Sequence, residues 1–263
     1  MNTIHEIKDF LDQFAPPRLA EEWDNVGLLV GDPAQRVSRI MTCLTVTPTS
    51  AAEAIREGVE LIVTHHPLPF RALKRVTTET IAGKLLWDLM NAKIAIFSPH
   101  TAFDSAQEGI NQQLAEGLGL ENISHLQPHV DDPDGLGSGR QGTYRSTISL
   151  QKVIDKLKQF LMIERLTYVG NFDQPVNRVA VACGSAGQFL ELAKTYGCDV
   201  LVTGETNFHT CLEAESMDIA LLMPGHYASE RFAVERLAKQ ISTHFANCKV
   251  WASRDESDPI RWC

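Results

Sequence analysis

Residues 38–67, SRIMTCLTVTPTSAAEAIREGVELIVTHHP, decide the fold. Ser38 to Val46 reads as an apolar strand, Thr49 to Glu57 as a helix, and Glu60 to Thr64 as a second strand. Two strands joined through a helical crossover pair in parallel, because the helix carries the chain back to the end from which it started. The stretch finishes on His65-His66-Pro67, directly beyond a strand, which is where parallel α/β sheets tend to place their sites.

Working outward, Thr3-Ile4-His5-Glu6 has the form of a capping box, and Ile4, Ile7, Phe10, Leu11 and Phe14 recur at helical spacing until Pro16-Pro17 stops them. A helix fits Thr80 to Asn91, a strand Lys93 to Phe97, and a helix Ser105 to Leu118, closed by Gly119. His125 to Tyr144 is aperiodic and rich in Gly, Asp and Pro, so it reads as a connection that holds the domain boundary. The alternation then resumes with helix Leu150 to Leu161, strands Arg165 to Val169 and Arg178 to Ala182, helix Gln188 to Tyr196 and strand Asp199 to Thr203. Helix Asn207 to Ser216, strand Ile219 to Met223 and helix Tyr227 to Ser242 follow, and Lys249 to Ala252 makes a last strand able to return to the first half. The expected class is α/β, with two domains of mixed or parallel sheets flanked by helices. Residues 1–125 plus 224–263 are expected as one domain, and 126–223 as the other.

A chain of 263 residues and 29.2 kDa, 44% hydrophobic and 22% charged, has enough apolar side chains for a sizeable core, which excludes a small stapled scaffold and wholesale disorder. Its 33 acidic against 24 basic side chains, a net charge of −9, disfavour a nucleic-acid partner. Cys43, Cys183, Cys198, Cys211, Cys248 and Cys263 form no C-x-x-C pair and lack the density of a secreted disulfide framework, so most are expected as buried thiols. The opening MNTIHEIKDFLDQF has no apolar core of a signal peptide, and no apolar run approaches the roughly 18 residues of a membrane span. A cytoplasmic protein without a membrane partner is the expectation.

Chemistry concentrates at predicted strand ends. Adjacent side chains of a regular strand face opposite ways, but where the strand breaks before Pro67 both imidazoles can enter one cavity, either as ligands of neighbouring metals or as polar residues leaving a sheet. The strand Ile94-Ala95-Ile96-Phe97 runs into Ser98-Pro99-His100-Thr101-Ala102-Phe103-Asp104. A carboxylate can give one oxygen to each of two cations, which makes Asp104 a candidate bridge and His100 a ligand or proton-transfer group; Asp104 reads equally as an N-cap. Gly225-His226-Tyr227-Ala228-Ser229-Glu230 opens a helix after a third strand, and its spacing puts His226 and Glu230 on one face, as ligands or as a plain surface pair. In conjunction, His65, His66, Asp104, His226 and Glu230 supply enough nitrogen and oxygen donors for two divalent metals, with zinc, iron or manganese suited to such a shell.

These segments carry a family resemblance. HHPLPFRALK, SPHTAFD, VACGSAG, TGETNFH and GHYASE, in this order, resemble the Nif-three-like family, whose members are often labelled GTP cyclohydrolase I type two homologs. Agreement runs from Glu22-Trp23-Asp24-Asn25-Val26-Gly27-Leu28 to Asp258-Pro259, almost the whole chain. The resemblance implies a two-domain α/β subunit with a dinuclear metal site, assembled into a ring-shaped homohexamer. Carried over position by position, it places the metal ligands on the same five residues, His65, His66, Asp104, His226 and Glu230, with His100 lining the pocket. Ala102 departs from the pattern, since many relatives have Asn there, and the large insert of some relatives is absent.

A metal-dependent hydrolase is the leading expectation, because two cations about 3.5 to 4 Å apart lower the pKa of a shared water. The resemblance narrows this to opening the imidazole ring of GTP, or to another C–N or phosphoester cleavage, so the partner is a small molecule with a nucleotide among the candidates. His100 and Glu205 are the candidate catalytic residues, Glu205 lying in Thr203-Gly204-Glu205 after another strand with His209 close behind. A non-catalytic metal-binding or scaffold protein is the rival reading. Gly184-Ser185-Ala186-Gly187 follows a strand and opens a helix, so its N–H groups read as an anion cradle or as a tight turn.

Overall fold

The computed structural model describes residues 2–129, 132 and 134–261. In chain order its main elements are α1 (Ile4–Phe14), β1 (Gly27–Val30), β2 (Arg39–Cys43), α2 (Pro48–Arg56), β3 (Leu61–Thr64), α3 (Ile81–Asn91), β4 (Ala95–Ser98), α4 (His100–Ser105), α5 (Ile110–Gly117) and β5 (Glu121–Ser124). There follow β6 (Arg140–Ser149), α6 (Leu150–Leu161), β7 (Thr167–Val169), β8 (Pro175–Ser185), α7 (Leu190–Thr195), β9 (Val200–Glu205), α8 (Phe208–Ser216), β10 (Ala220–Met223), α9 (His226–His244) and β11 (Lys249–Ala252). The α/β class expected from the sequence is the class found. Among the described residues no helix is long and apolar enough to cross a membrane.

The chain divides into two compact units, Met1–Phe103 with Ala233–Cys263, and Asp104–Phe232. Relative to the expected division, residues 104–125 and 224–232 group with the second unit. The reason is pairing: β5 hydrogen-bonds to β6, so the chain has entered the second sheet before the connection at His125 begins.

In the first unit five strands run in the order β11-β2-β3-β4-β1, the first four parallel and β1 antiparallel at the edge. Both faces are covered, so the strands read as continuous apolar runs and Leu61–Thr64 is buried at every position. Met41, Ile62, Ile96, Leu86, Leu89 and Trp251 share its core; burying each such side chain stabilises the unit by about 1.5 to 3 kcal/mol. The opening helix carries the expected capping box, Thr3 accepting from the Glu6 N–H and Glu6 reaching back to Thr3. The late return of β11 is fixed by buried Glu53, which accepts hydrogen bonds from Ser253 Oγ (2.6 Å), Trp251 Nε1 (3.1 Å) and the N–H groups of Arg254 and Asp255.

The second unit holds six strands in the order β7-β10-β9-β8-β6-β5, with β8, β9 and β10 parallel and the others antiparallel. Ala180, Leu201, Leu221, Leu190, Ala214 and Ile219 form a core on it. Two expectations are corrected here. The whole of β6 lies outside the elements expected, because it opens in the glycine-rich stretch with Arg140, a residue type that normally marks a surface. Arg140 is instead 1% exposed, its guanidinium donating to the carbonyls of Gly137, Gly139, Ser105 and Ala106 and to Gln112 Oε1. The helix expected over Ser105 to Leu118 starts later, as α5 at Ile110 with Gly109 as its N-cap, and a separate short helix, α4, ends at Ser105 before it. Two carbonyls at the break are satisfied by buried amides, Asn111 donating to Asp104 O (3.1 Å) and Gln113 to Glu108 O (2.8 Å). Asp104 is therefore inside a helix and caps none. Of the cysteines, Cys43, Cys183, Cys198 and Cys248 are buried and Cys211 is half-buried; Cys263 lies outside the described residues.

Candidate metal centre

In the first unit β3 delivers the two histidines. The ladder continues past its end, His65 N–H donating to Cys43 O and His66 N–H to Leu44 O, while Ser98 Oγ donates to His65 O (2.6 Å). With the backbone fixed there, strict strand alternation lapses and the two rings lie 5.0 Å apart, His65 being 5.1 Å from the ring of His100. One donor atom from each of His65, His66 and His100 falls within 4.8 Å of the others. His100 opens α4 at φ +26°, a left-handed value that costs a side-chain-bearing residue about 1 to 3 kcal/mol and is characteristic of functional sites.

Each outer histidine is oriented by a partner. Thr45 Oγ1 meets His66 Nδ1 at 2.7 Å, and Asp24 Oδ1 meets His100 Nδ1 at 2.7 Å. Asp24 Oδ2 also accepts from the N–H and hydroxyl of Thr101. Burial alone would raise the Asp24 carboxyl, but the hydrogen bonds from His100 and Thr101 and the charge of His100 hold it down at about 2. An ionised carboxylate only accepts, so His100 donates from Nδ1, the kind of contact that orients a metal-binding or proton-transferring imidazole. Sequence alone assigns Asp24 no role, because it lies in an aperiodic loop far along the chain from His100.

In the second unit the chemistry is anionic. After β10 the chain turns through Gly225 into α9, which begins at His226, one residue before the expected start. His226 Nδ1 lies 3.0 Å from Glu205 Oε1 and its Nε2 lies 3.2 Å from Glu230 Oε2. The hydrogen bond to Glu230 pushes His226 up to about 9 against the pull of burial, with Glu205 adding to the rise. Room for buried Glu230 depends on glycine: a Cβ at Gly184, where φ is +66°, would stand 2.5 Å from Glu230 Oε1. At Gly204 a Cβ would meet Gly184 O and Ser229 Oγ, both at 2.6 Å, so the ends of β8 and β9 can approach α9 only without side chains there.

Asp104 is held by Cys183, whose thiol donates to Asp104 Oδ1 at 3.1 Å while its N–H donates to Asn111 Oδ1 at 2.8 Å. Burial, together with the charges of Asp104 and Glu230, pushes the Cys183 thiol well above its usual range, so it acts as a neutral donor to the carboxylate. Sequence alone assigns no cysteine a part in the site. Ala102, the position departing from the family pattern, is buried on α4 and offers no polar group.

The glycine loop is largely committed to the fold. Gly184 N–H donates to Ser229 Oγ and Ala186 N–H to Thr203 Oγ1, both at 3.1 Å. A cavity of about 420 Å³ beside it, lined by Ser185, Gln188, Thr206 and Thr210, also carries Glu191 and Glu213, which work against an anion. His209 is exposed and packs on Phe208 with ring centroids 6.0 Å apart.

Clustered imidazole nitrogens with carboxylate oxygens suit zinc, iron or manganese. The first-unit trio, with His66 and His100 contacted at Nδ1 by Thr45 and Asp24, fits such an ion by donor type and spacing.

Known proteins place the chain. The model of the Duf34/NIF3 (NGG1p interacting factor 3) family matches residues 2–259. The chain is 31% identical to a Clostridium acetobutylicum protein named GTP cyclohydrolase 1 type 2 homolog, over 98% of each chain. It is 32% identical to a Lactococcus lactis protein of the same name, over 97% of this chain and 98% of that one. A solved Bacillus cereus protein related to NIF3 shares the fold at a TM-score of 0.91 and 24% identity, covering 100% of this chain and 99% of that one. This chain belongs to the Duf34/NIF3 (NGG1p interacting factor 3) family.

Proposed function

We propose that this chain is a metal-dependent hydrolase whose two divalent ions are held by His65, His66, Asp104, His226 and Glu230. The observation that carries the reading is the first-unit trio, three imidazoles with donor atoms within 4.8 Å and two of them oriented by Asp24 and Thr45. Bound there, divalent metal supplies a Lewis acid and a water of lowered pKa, the two requirements for hydrolysis near neutral pH. Asp24 orients His100 through Nδ1, and His100 passes a proton to the leaving group. Glu205 acts through His226, fixing its ring by the Nδ1 contact, and is a positioning residue. Two relatives carry the name GTP cyclohydrolase 1 type 2 homolog, which makes GTP the first substrate to try, followed by phosphoesters. The expected homohexamer belongs to the same reading, and light scattering on the purified protein counts its subunits.

The test is a hydrolysis screen of metal-loaded protein with His100→Asn and Glu205→Gln variants. Hydrolysis of GTP or a phosphoester, lowered about 100-fold in His100→Asn with its metal retained, is the expected result. Metal-loaded protein that cleaves nothing in the panel contradicts the enzyme and leaves a metal-binding scaffold.

A further inference from the structure

Trp23 and Phe70 are 63% and 50% exposed, yet each ring stands 6.0 Å from the buried ring of His100. The two rings lie 6.1 Å apart with their planes at 50°. The backbone beneath them is tied down. Trp23 precedes Asp24, which is bonded to His100 and Thr101; Asn25 Nδ2 donates to Pro69 O at 2.9 Å, joining the Trp23 loop to the Phe70 loop. Scattered exposed aromatics are ordinary, but two adjoining tilted rings on hydrogen-bonded loops beside a histidine cluster form a built surface.

We propose that Trp23 and Phe70 form a stacking platform for a planar aromatic heterocycle, a nucleobase-sized ring carried by the substrate. A third ring inserted between them would need two stacking distances, more than their separation provides. They therefore offer an open corner of π-faces, and His100 offers a polar edge behind it. A flat conjugated ring with hydrogen-bonding atoms on its rim satisfies both features; an aliphatic chain satisfies only the first, and a bare phosphate only the second. Stacking is tolerant of which base it holds, so the platform explains how a ring could be bound without a sequence motif that reads guanine. The inference deepens the hydrolase reading by naming a group its substrate carries, and rests on that reading only for the reacting centre.

The test is calorimetric titration of the full chain with guanosine 5′-monophosphate, and with ribose 5-phosphate as the ring-free probe. Saturable nucleotide binding is expected, weakened about tenfold or more in Trp23→Ala and in Phe70→Ala but within about threefold of wild type in Trp23→Phe. Trp87→Ala, removing an indole 51% exposed on α3, leaves binding unchanged. Ribose 5-phosphate binds at least about tenfold more weakly than the nucleotide. Matching circular dichroism shows that the variants fold, and Trp23→Phe separates loss of the ring face from loss of structure. Absent nucleotide binding, equal binding of the two probes, or wild-type affinity in Trp23→Ala overturns the platform. Metal content measured on the same samples separates the claims: ring binding that depends on Trp23 without metal keeps the platform and removes the hydrolase, and the reverse pattern does the opposite.

Discussion

The ends of β3 and β4 and the ends of β8 and β9 are built alike, as loops beyond parallel strands, but they hold opposite chemistry. The first-unit corner is nitrogen-rich: three imidazoles, one buried carboxylate fixing a proton on His100 Nδ1, and a hydroxyl touching His66. The second-unit corner is oxygen-rich, with Glu205 and Glu230 holding a proton on His226 and a thiol holding Asp104. The difference teaches that a ligand set is more than its residue types. His226, held protonated by its two carboxylates, must release a proton before it can bind a metal, so uptake there is pH-dependent.

The comparison breaks most visibly at Gly184. Gly184→Ala adds a Cβ in left-handed backbone and displaces buried Glu230; it is expected to cost roughly 3 kcal/mol in denaturant unfolding. The His226 pKa should fall back toward 6.5 by NMR titration of the metal-free protein. An unchanged His226 titration would show that Glu230 does not depend on that glycine.

Next comes pH. Asp24 is depressed in the folded chain, so its stabilisation is present above 3.8 and is lost as pH falls toward about 2. His226 is raised, so its stabilisation is complete below 6.5 and is lost as pH rises through about 9. In metal-free protein the two corners should weaken at opposite ends of the pH scale. Asp24→Asn should remove about 2 kcal/mol at neutral pH and flatten the acid limb alone, whereas His226→Gln should flatten the alkaline limb alone. Stability profiles in which both substitutions change the same limb would dissolve the distinction.

The smallest effect sharpens it. Thr45→Val removes the hydroxyl beside His66 Nδ1 and should weaken metal affinity about tenfold while leaving the fold intact. An affinity equal to wild type in a competition assay with a chelating dye would mean that packing alone orients His66.

Much of this was legible in the sequence, for reasons that differ between elements. The βαβ run through Cys43 and Leu61 announces itself by apolar periodicity, and Lys249–Ala252 by its bounds, though nothing local reveals that Glu53 clasps the segment after it. His65, His66 and His100 stand out in the sequence because they follow strands, and their donor atoms do cluster. Asp24, Thr45 and Cys183 do not stand out, since their roles depend on partners distant in the chain and their residue types fit loops and cores equally well. Arg140 hid β6 because a fully buried guanidinium needs five acceptors that only the folded chain brings together. The break before Ile110 escaped because Asn111 and Gln113, helix-compatible by composition, serve instead to satisfy carbonyls at that break.

The most direct test of the central claim is metal content per chain by mass spectrometry on untagged protein, beside His65→Ala and Asp104→Ala. About two ions in the wild type, with ions lost in both variants, is the predicted result. A wild type that holds no metal and gains none on titration with zinc, iron or manganese would contradict it.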